Sequence, residues 1–305
     1  MGRDAHAPEA NSLLFLPLGG SGEIGMNLSL YGHAGKWLMV DLGITFGDET
    51  TPGIDVIMAD PAFIRERRRD LVGLVLTHGH EDHLGAVPYL WPQLECPVYA
   101  VPFTAAVLRG KLHEHGLAGR LKVEEIPASG KVRVGPFDVE MIGITHSIPD
   151  ARVVVIRTPA GSAVHTGDWK LDPSPQLGRT TDEAALERLG LEGVDALVGD
   201  STNATVPGSS GSEATVRAGL LELFGGIETR IAVTCFATNV ARLRSIAAAA
   251  AAHDRRVALV GRSLWRICEA ARGCGYLEDL PEFLSDHDAG YLPRDKVVLV
   301  CTGSQ

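Results

Sequence analysis

The sequence predicts a mixed α/β protein in two parts, a β-rich first two thirds and a final third where helices and strands alternate. Three observations carry this expectation. Short apolar runs broken by glycine recur from residue 13 to residue 199, and helix-like segments are few before Asp200. Pro207-Gly208-Ser209-Ser210-Gly211-Ser212 is a turn-rich stretch that marks a boundary. Beyond it helix and strand patterns follow one another, as in a parallel sheet with crossover helices. The expected organisation is a disordered polar tail over 1–11, a first domain over 12–206 and a second over 207–305.

Taken in order, 13–18, 27–31 and 36–41 read as strands, with Gly32-His33-Ala34-Gly35 as a tight turn between the last two. Residues 71–77 (LVGLVLT) form an apolar run ending in a polar cluster, the pattern of a buried strand feeding a loop. Residues 103–115 have helical spacing, with Ala106, Leu108 and Leu112 for one face. Strands follow over 121–126, 137–145, 151–158, 161–165 and 194–199, with a helix over 181–189. After the boundary, 213–224, 239–253 and 263–273 read as helices and 230–235, 256–260 and 296–301 as strands. The alanine run in the second of these helices is a strong helix former.

Composition narrows the class. Of 305 residues, 45% are hydrophobic, 22% charged and 6% aromatic, which excludes a disordered, collagen-like or coiled-coil chain. No run approaches the ~18 apolar residues of a membrane span, and the start, with Arg3, Asp4 and Glu9, is unlike a signal peptide. Cys96, Cys235, Cys268, Cys274 and Cys301 are odd in number and form no CxxC pair, which fits reduced thiols in the cytoplasm. The net charge of −10 by itself counts against a general nucleic-acid binder. Bound cations, however, reverse the sign where it matters.

Gly20-Ser21-Gly22-Glu23-Ile24-Gly25 satisfies GxGxxG, and Asp41 follows at the right interval for a dinucleotide site. That motif works only where a helix N-terminus offers its free N–H groups to the pyrophosphate. Met26-Asn27-Leu28-Ser29-Leu30-Tyr31 alternates like a strand instead, so the segment reads as a turn between strands.

Thr77-His78-Gly79-His80-Glu81-Asp82-His83 is the decisive segment. Three imidazoles and two carboxylates packed after a buried strand repel one another, or are desolvated at cost, unless a cation holds them. Imidazole nitrogen with carboxylate oxygen is the ligand set of zinc, or of manganese and iron in similar geometry. His78 and His80 can serve one ion, Asp82 and His83 a neighbouring one. By contrast, His113, Glu114 and His115 read as a solvated helix face, and Arg65-Glu66-Arg67-Arg68-Arg69 as a solvated helix end rather than a phosphate contact.

The string His78-x-His80-x-Asp82-His83 after a strand resembles the metal signature of the metallo-β-lactamase superfamily. Within it, Gly19 to Asn27 (GGSGEIGMN), HGHEDH, HSIPD, HTGDWKLD, Asp200-Ser201-Thr202-Asn203-Ala204, Gly261-Arg262-Ser263 and Thr302-Gly303-Ser304-Gln305 together resemble the ribonuclease J group of β-CASP nucleases. Met26 departs from the pattern, standing where the family often has lysine. The resemblance implies a metallo-β-lactamase αββα sandwich, incomplete in this chain, with part of an inserted β-CASP α/β parallel-sheet domain. It assigns His146 and Asp168 as further ligands, so that His78, His80, His146 and Asp168 hold the first ion. Asp82, His83 and the bridging Asp168 hold the second. Asp41 becomes the acid that orients the ligand loop. His165 is either a supporting partner or an ordinary buried histidine.

The implied activity is two-metal hydrolysis of RNA phosphodiesters, both from the 5′ end and internally, in RNA processing and decay. A hydroxide bridging two zinc ions, with manganese or magnesium as substitutes, attacks phosphorus in line and leaves 5′-phosphate and 3′-hydroxyl ends. Catalytic roles fall to Asp82, Asp168 and Asp200, the last in hydrogen bonding or proton transfer. RNA with a 5′-monophosphate is the implied partner, alongside a homo-oligomer or an RNA-decay complex, and no membrane. In the family the chain returns after the inserted domain and supplies later histidine motifs. None follows here, since His287 in Asp286-His287-Asp288-Ala289-Gly290 does not resemble them. The expectation is therefore a fragment of an active nuclease. The alternatives are a truncated, non-catalytic metal-binding remnant or interaction subunit with an unfinished sheet, and a small-ester or thioester hydrolase of the same fold.

Overall fold

A computed structural model describes residues 7–128 and 130–302. Residues 1–6 of the expected tail and 303–305 of the Thr302-Gly303-Ser304-Gln305 motif lie outside the described residues. The chain divides into two compact units. The first takes Met1–Ile144, Asp150–Trp169 and Asp182–Val206; the second takes Thr145–Pro149, Lys170–Thr181 and Pro207–Gln305. No helix among the described residues is long and apolar enough to cross a membrane.

The first unit opens with the antiparallel meander β1 (Leu14–Gly19), β2 (Leu28–His33) and β3 (Lys36–Val40). A small hairpin, β4 (Ile44–Phe46) and β5 (Val56–Met58), and helix α1 (Ala62–Glu66) come next. Strand β6 (Leu71–Val75) then pairs in parallel with β3. After α2 (Glu81–Leu84) and α3 (Val87–Leu94), β7 (Val98–Ala100), α4 (Pro102–Glu114) and β8 (Val123–Glu125) complete a sheet of order β1-β2-β3-β6-β7-β8. A second sheet of order β13-β12-β11-β10-β9 is built from β9 (Lys131–Val134), β10 (Phe137–Gly143), β11 (Arg152–Thr158), β12 (Gly161–His165) and β13 (Ala196–Val198). Helix α5 (Glu183–Glu192) leads into β13, which pairs in parallel with β12.

Strand alternation explains the layering, because successive side chains point to opposite faces. Trp37 and Met39 of β3 join the helix-side core with Leu74, Leu84, Leu90, Trp91 and Leu108. Leu38 and Val40 face the other way and meet Phe137, Val139, Met141, Val154 and Ile156 of the second sheet. Val153 and Val155 of β11 turn outward again onto Leu189 and partly buried Ala185 and Leu186 of α5. The layers are thus helices, sheet, sheet, helix. Both faces of these strands are covered, which is why they read in sequence as near-continuous apolar runs.

Several short elements were not legible in the sequence. Pro88 and Pro92 disguise α3, since an interior proline ordinarily breaks a helix. Pro88 sits in the first turn, where its missing N–H has no partner to lose. Val87, Leu90, Trp91 and Leu94 are buried on one side and hold the helix down despite Pro92.

The second unit carries the expected alternation. Helix α6 (Glu213–Gly225), β14 (Ile231–Thr234), α7 (Val240–Ala252), β15 (Arg256–Val260), α8 (Arg262–Gly273), β16 (Leu284–Ser285), α9 (Asp286–Ala289) and β17 (Val297–Cys301) follow in order. The four strands form a wholly parallel sheet of order β14-β17-β15-β16. Ser212 and Asn239 cap α6 and α7, accepting from Ala214 N–H and Arg242 N–H. The alanine run does more than favour helix, because Ala247, Ala249 and Ala250 are buried.

Candidate metal centre

The centre begins where β3 ends. Asp41 is fully buried and adopts φ +62°, a conformation that aspartate tolerates better than most side chains. Parallel pairing of β3 with β6 brings Thr77 beside it. Asp41 Oδ1 accepts from Thr77 N–H at 2.8 Å, and Oδ2 accepts from Thr77 Oγ1–H at 2.8 Å and from His83 Nδ1–H at 2.7 Å. One carboxylate thereby ties the start of the histidine string to its end.

These bonds set the ring tautomers. Thr77 Oγ1 gives its proton to Asp41, so it accepts from His78 Nδ1–H at 3.0 Å and leaves His78 Nε2 as a lone pair. That Nε2 lies 3.0 Å from His80 Nδ1. Two nitrogens bound at about 2.0–2.1 Å to one tetrahedral zinc stand about 3.3 Å apart, so this spacing suits a shared cation. His83, bound to Asp41 through Nδ1, turns Nε2 toward Asp168 Oδ1 at 3.2 Å and Asp82 Oδ2 at 3.4 Å.

Asp82 and His83 lie on α2, a single turn following His80. The turn is clamped by backbone bonds from Leu42 N–H to His83 O and from Asn27 N–H to Asp82 O. Asn27 Nδ2–H also donates to Asp82 O, and lies 3.2 Å from His83 Nε2. The clamp needs glycine at 43, because a Cβ there would fall 1.6 Å from the Asp82 carbonyl oxygen. Asp168 follows β12 by way of Gly167, whose φ of +56° lets the chain turn against Thr77.

Ligand atoms of His78, His80 and Asp168 lie within 4.8 Å of one another, and so do those of Asp82, His83 and Asp168. Asp168 belongs to both groups. His146 lies in Thr145–Pro149, the short segment counted with the second unit, and is half-buried. Asp200 follows β13; its N–H donates to Thr166 Oγ1 and its Oδ1 accepts from Thr202 N–H.

Electrostatics favour a cation here. Burial pushes the His83 pKa down, but Asp41 first and then Asp168 and Asp82 more than offset it and raise it well above the usual value. Burial likewise works against ionised Asp82, yet the hydrogen bond and charge of His83 hold it below the ordinary carboxylate range. Three carboxylates, those of Asp41, Asp82 and Asp168, gather on one buried imidazole and concentrate oxygen acceptors there. The residues present fit divalent metal.

A pocket of about 480 Å³ opens beside this cluster, with Asp82, His83, His165, Asp168 and Asp200 in its wall. The glycine loop 19–25 forms another part of the wall. It leads into strand β2 and not into a helix, so no anion cradle of the dinucleotide kind forms. His165 is buried, held neutral by burial with its pKa pushed down to about 4, and contacts Tyr31. Asn27, quoted from the sequence only within the GGSGEIGMN string and a strand pattern, and Tyr31 are site residues to which the sequence assigned no role, since neither belongs to a ligand-type cluster. His113, Glu114 and His115 are exposed at the end of α4, away from any role here.

Residues 23–208 match the metallo-beta-lactamase superfamily model, and residues 228–305 match the model of the ribonuclease J beta-CASP domain. The chain is 48% identical over 297 residues to Ribonuclease J of Sinorhizobium meliloti, covering 96% of this chain and 53% of that protein. It is 42% identical to Ribonuclease J of Corynebacterium glutamicum (97% and 41% covered) and 38% identical to that of Thermus thermophilus (95% and 52%). The chain therefore spans about half the length of the curated relatives it matches. A crystal structure of a protein of unknown function from Enterococcus faecalis shares the fold, with a TM-score of 0.65 at 16% identity over 96% of this chain and 78% of that one. The chain belongs to the metallo-β-lactamase superfamily, in the branch that carries the ribonuclease J β-CASP domain.

Proposed function

We propose that the chain carries the metal centre of a ribonuclease that hydrolyses RNA phosphodiesters from the 5′ end and internally, leaving 5′-phosphate and 3′-hydroxyl products. The observation that supports this most is Asp168, shared between two groups of converging ligand atoms. His78, His80 and Asp168, with His146 as the fourth ligand, would hold one ion. Asp82, His83 and Asp168 would hold the other. Divalent cations bound there supply Lewis acidity at the phosphoryl oxygens and lower the pKa of water to a useful range. Zinc suits the imidazole-rich set, with manganese or magnesium as substitutes.

The chain's own residues do the rest. Asp41 keeps the His83 proton on Nδ1 and aims Nε2 at the ion site. Asp200, on the pocket wall, hydrogen-bonds at the reacting phosphate or takes up a proton. The ribonuclease J relatives, together with the β-CASP match over 228–305, favour RNA over small esters or thioesters. A 5′-monophosphorylated RNA is the substrate we favour, and self-association or membership of an RNA-decay complex goes with it. The boundaries follow as 12–206 for the lactamase part and 207–305 for the β-CASP part. Five free cysteines fit a cytoplasmic setting.

The test is metal content measured together with cleavage of 5′-monophosphorylated RNA, for the wild-type chain and Asp82→Ala. Two metal equivalents are expected in the wild type. Asp82→Ala should keep about one and lose at least ~100-fold in cleavage. Cleavage indifferent to Asp82→Ala would overturn the centre; full metal with no RNA cleavage in the wild type would favour the non-catalytic remnant.

A further inference from the structure

We propose that Tyr31 fixes the tautomer of His165, so that His165 presents an Nε2–H into the pocket as a hydrogen-bond donor to a phosphate oxygen of the substrate. The inference rests on the phosphodiester reading for the identity of that acceptor. It makes His165 a catalytic residue and Tyr31 a positioning residue.

Tyr31 comes from β2 of the first sheet and is completely buried. His165 is the last residue of β12 in the second sheet, and it is flanked in register by Val154 and Val198. The phenol oxygen and His165 Nδ1 are 3.0 Å apart, and the two rings meet edge-on with centroids 6.2 Å apart. Phe15 also packs against Tyr31, with ring centroids 5.3 Å apart. Both rings are therefore held by strands, and the hydrogen bond joins the two sheets.

Hydrogen-bond accounting decides the direction. Among the described residues, Tyr31 O–H has no partner besides His165 Nδ1, and His165 Nε2 has none. If Nδ1–H donated to the phenol oxygen, the Tyr31 O–H would be left as a buried donor with nowhere to go, which is costly. If Tyr31 O–H donates to Nδ1, every buried group is satisfied, and the single ring proton of neutral imidazole moves to Nε2. His165 lines the same pocket as Asp82, His83, Asp168 and Asp200, and Nε2 is not a sealed, partnerless atom. The proton thus faces the pocket. A neutral N–H beside a crowd of carboxylates is not a metal ligand; it is a donor awaiting an anionic oxygen, and it does not add a lone pair to an already negative site. Placed there before substrate arrives, it stabilises charge that grows on the phosphoryl oxygens.

The experiment uses the full chain labelled with 15N-histidine, with His165 assigned from the signal lost in His165→Gln. Long-range 15N–1H correlation at neutral pH should show pyrrole-type Nε2 and pyridine-type Nδ1 for His165. In Tyr31→Phe the signal should change to mixed tautomers, with metal content unchanged. A short 2′-O-methyl RNA carrying a 5′-phosphate should shift the Nε2–H proton on binding. In cleavage assays Tyr31→Phe should lose about five- to thirty-fold in kcat with KM unaltered, and His165→Gln, which keeps an N–H donor, should retain more activity than His165→Ala. An Nδ1–H tautomer in the wild type overturns the inference, as does an Nε2–H that does not respond to RNA. An Nε2–H that shifts with RNA in a chain that cleaves none upholds the contact and overturns the phosphodiesterase reading alone.

Discussion

Asp41 is 0% exposed, and three hydrogen bonds from Thr77 and His83 satisfy its carboxylate oxygens. Such outer partners orient a ligating imidazole and raise its basicity. Asp41→Asn keeps a residue that tolerates the left-handed backbone and removes the charge. The expected result is a folded chain whose metal affinity is lower by about 10–100-fold, read by competition against a chelator. A chain that unfolds, or one that binds metal as before, would contradict the assignment. The thiols give a second expectation at this scale. Burial pushes Cys96 and Cys268 up to about 12, so labelling of the native chain at pH 8 should spare both, and urea should expose them. His78, His80, Asp82 and His83 were legible because ligand chemistry is written in residue type and close spacing. Asn27 and Tyr31 were not, because an amide and a phenol become functional only through what the fold sets against them.

Helix α2 is an element with almost no stability of its own, a single turn held by Leu42, Asn27 and the absent side chain of residue 43. Gly43→Ala should push the turn outward. We expect a loss of more than about 2 kcal/mol, as for overpacked backbone contacts, together with loss of metal, measured by urea unfolding and metal analysis on the same samples. In the second unit the start of α6 is fastened by Asp172. Its buried carboxylate is pushed up by burial, but accepts from Ser212 Oγ–H, Glu213 N–H and Ser174 N–H, which hold its pKa below the ordinary value. A depressed folded pKa contributes stability that is present above the unfolded value of about 3.9 and lost as pH falls through the folded value. Urea titrations from neutral pH down to about pH 2.5 should therefore show an acid-side loss of stability that Asp172→Asn flattens. The long elements were readable from hydrophobic period. Short ones such as α2 and β7 carry too few residues to show a period, and exist because neighbours hold them.

At the scale of the molecule, a chain of net charge −10 repels RNA unless its sign is reversed locally. Two divalent ions at the centre would do so at the phosphate itself. Stripping the metal at constant ionic strength should weaken binding of 5′-monophosphorylated RNA by at least about tenfold, measured by fluorescence anisotropy; unchanged affinity would place the attraction on arginines and lysines instead. The sequence by itself determined the α/β class, the change of texture after residue 206, the main strands and helices, and the cluster of metal-ligating residue types at 78–83, because period and ligand chemistry are local properties. Only the tertiary structure decided which ligand atoms converge, that Asp41 accepts from both Thr77 and His83, and that Tyr31 meets His165. Asp41, Thr77 and His165 lie at or just beyond the ends of β3, β6 and β12, whereas Tyr31 lies within β2 and His83 on α2. What brings them within hydrogen-bond reach is strand register and the layering of the sheets, which depend on the whole chain and on no single stretch of it.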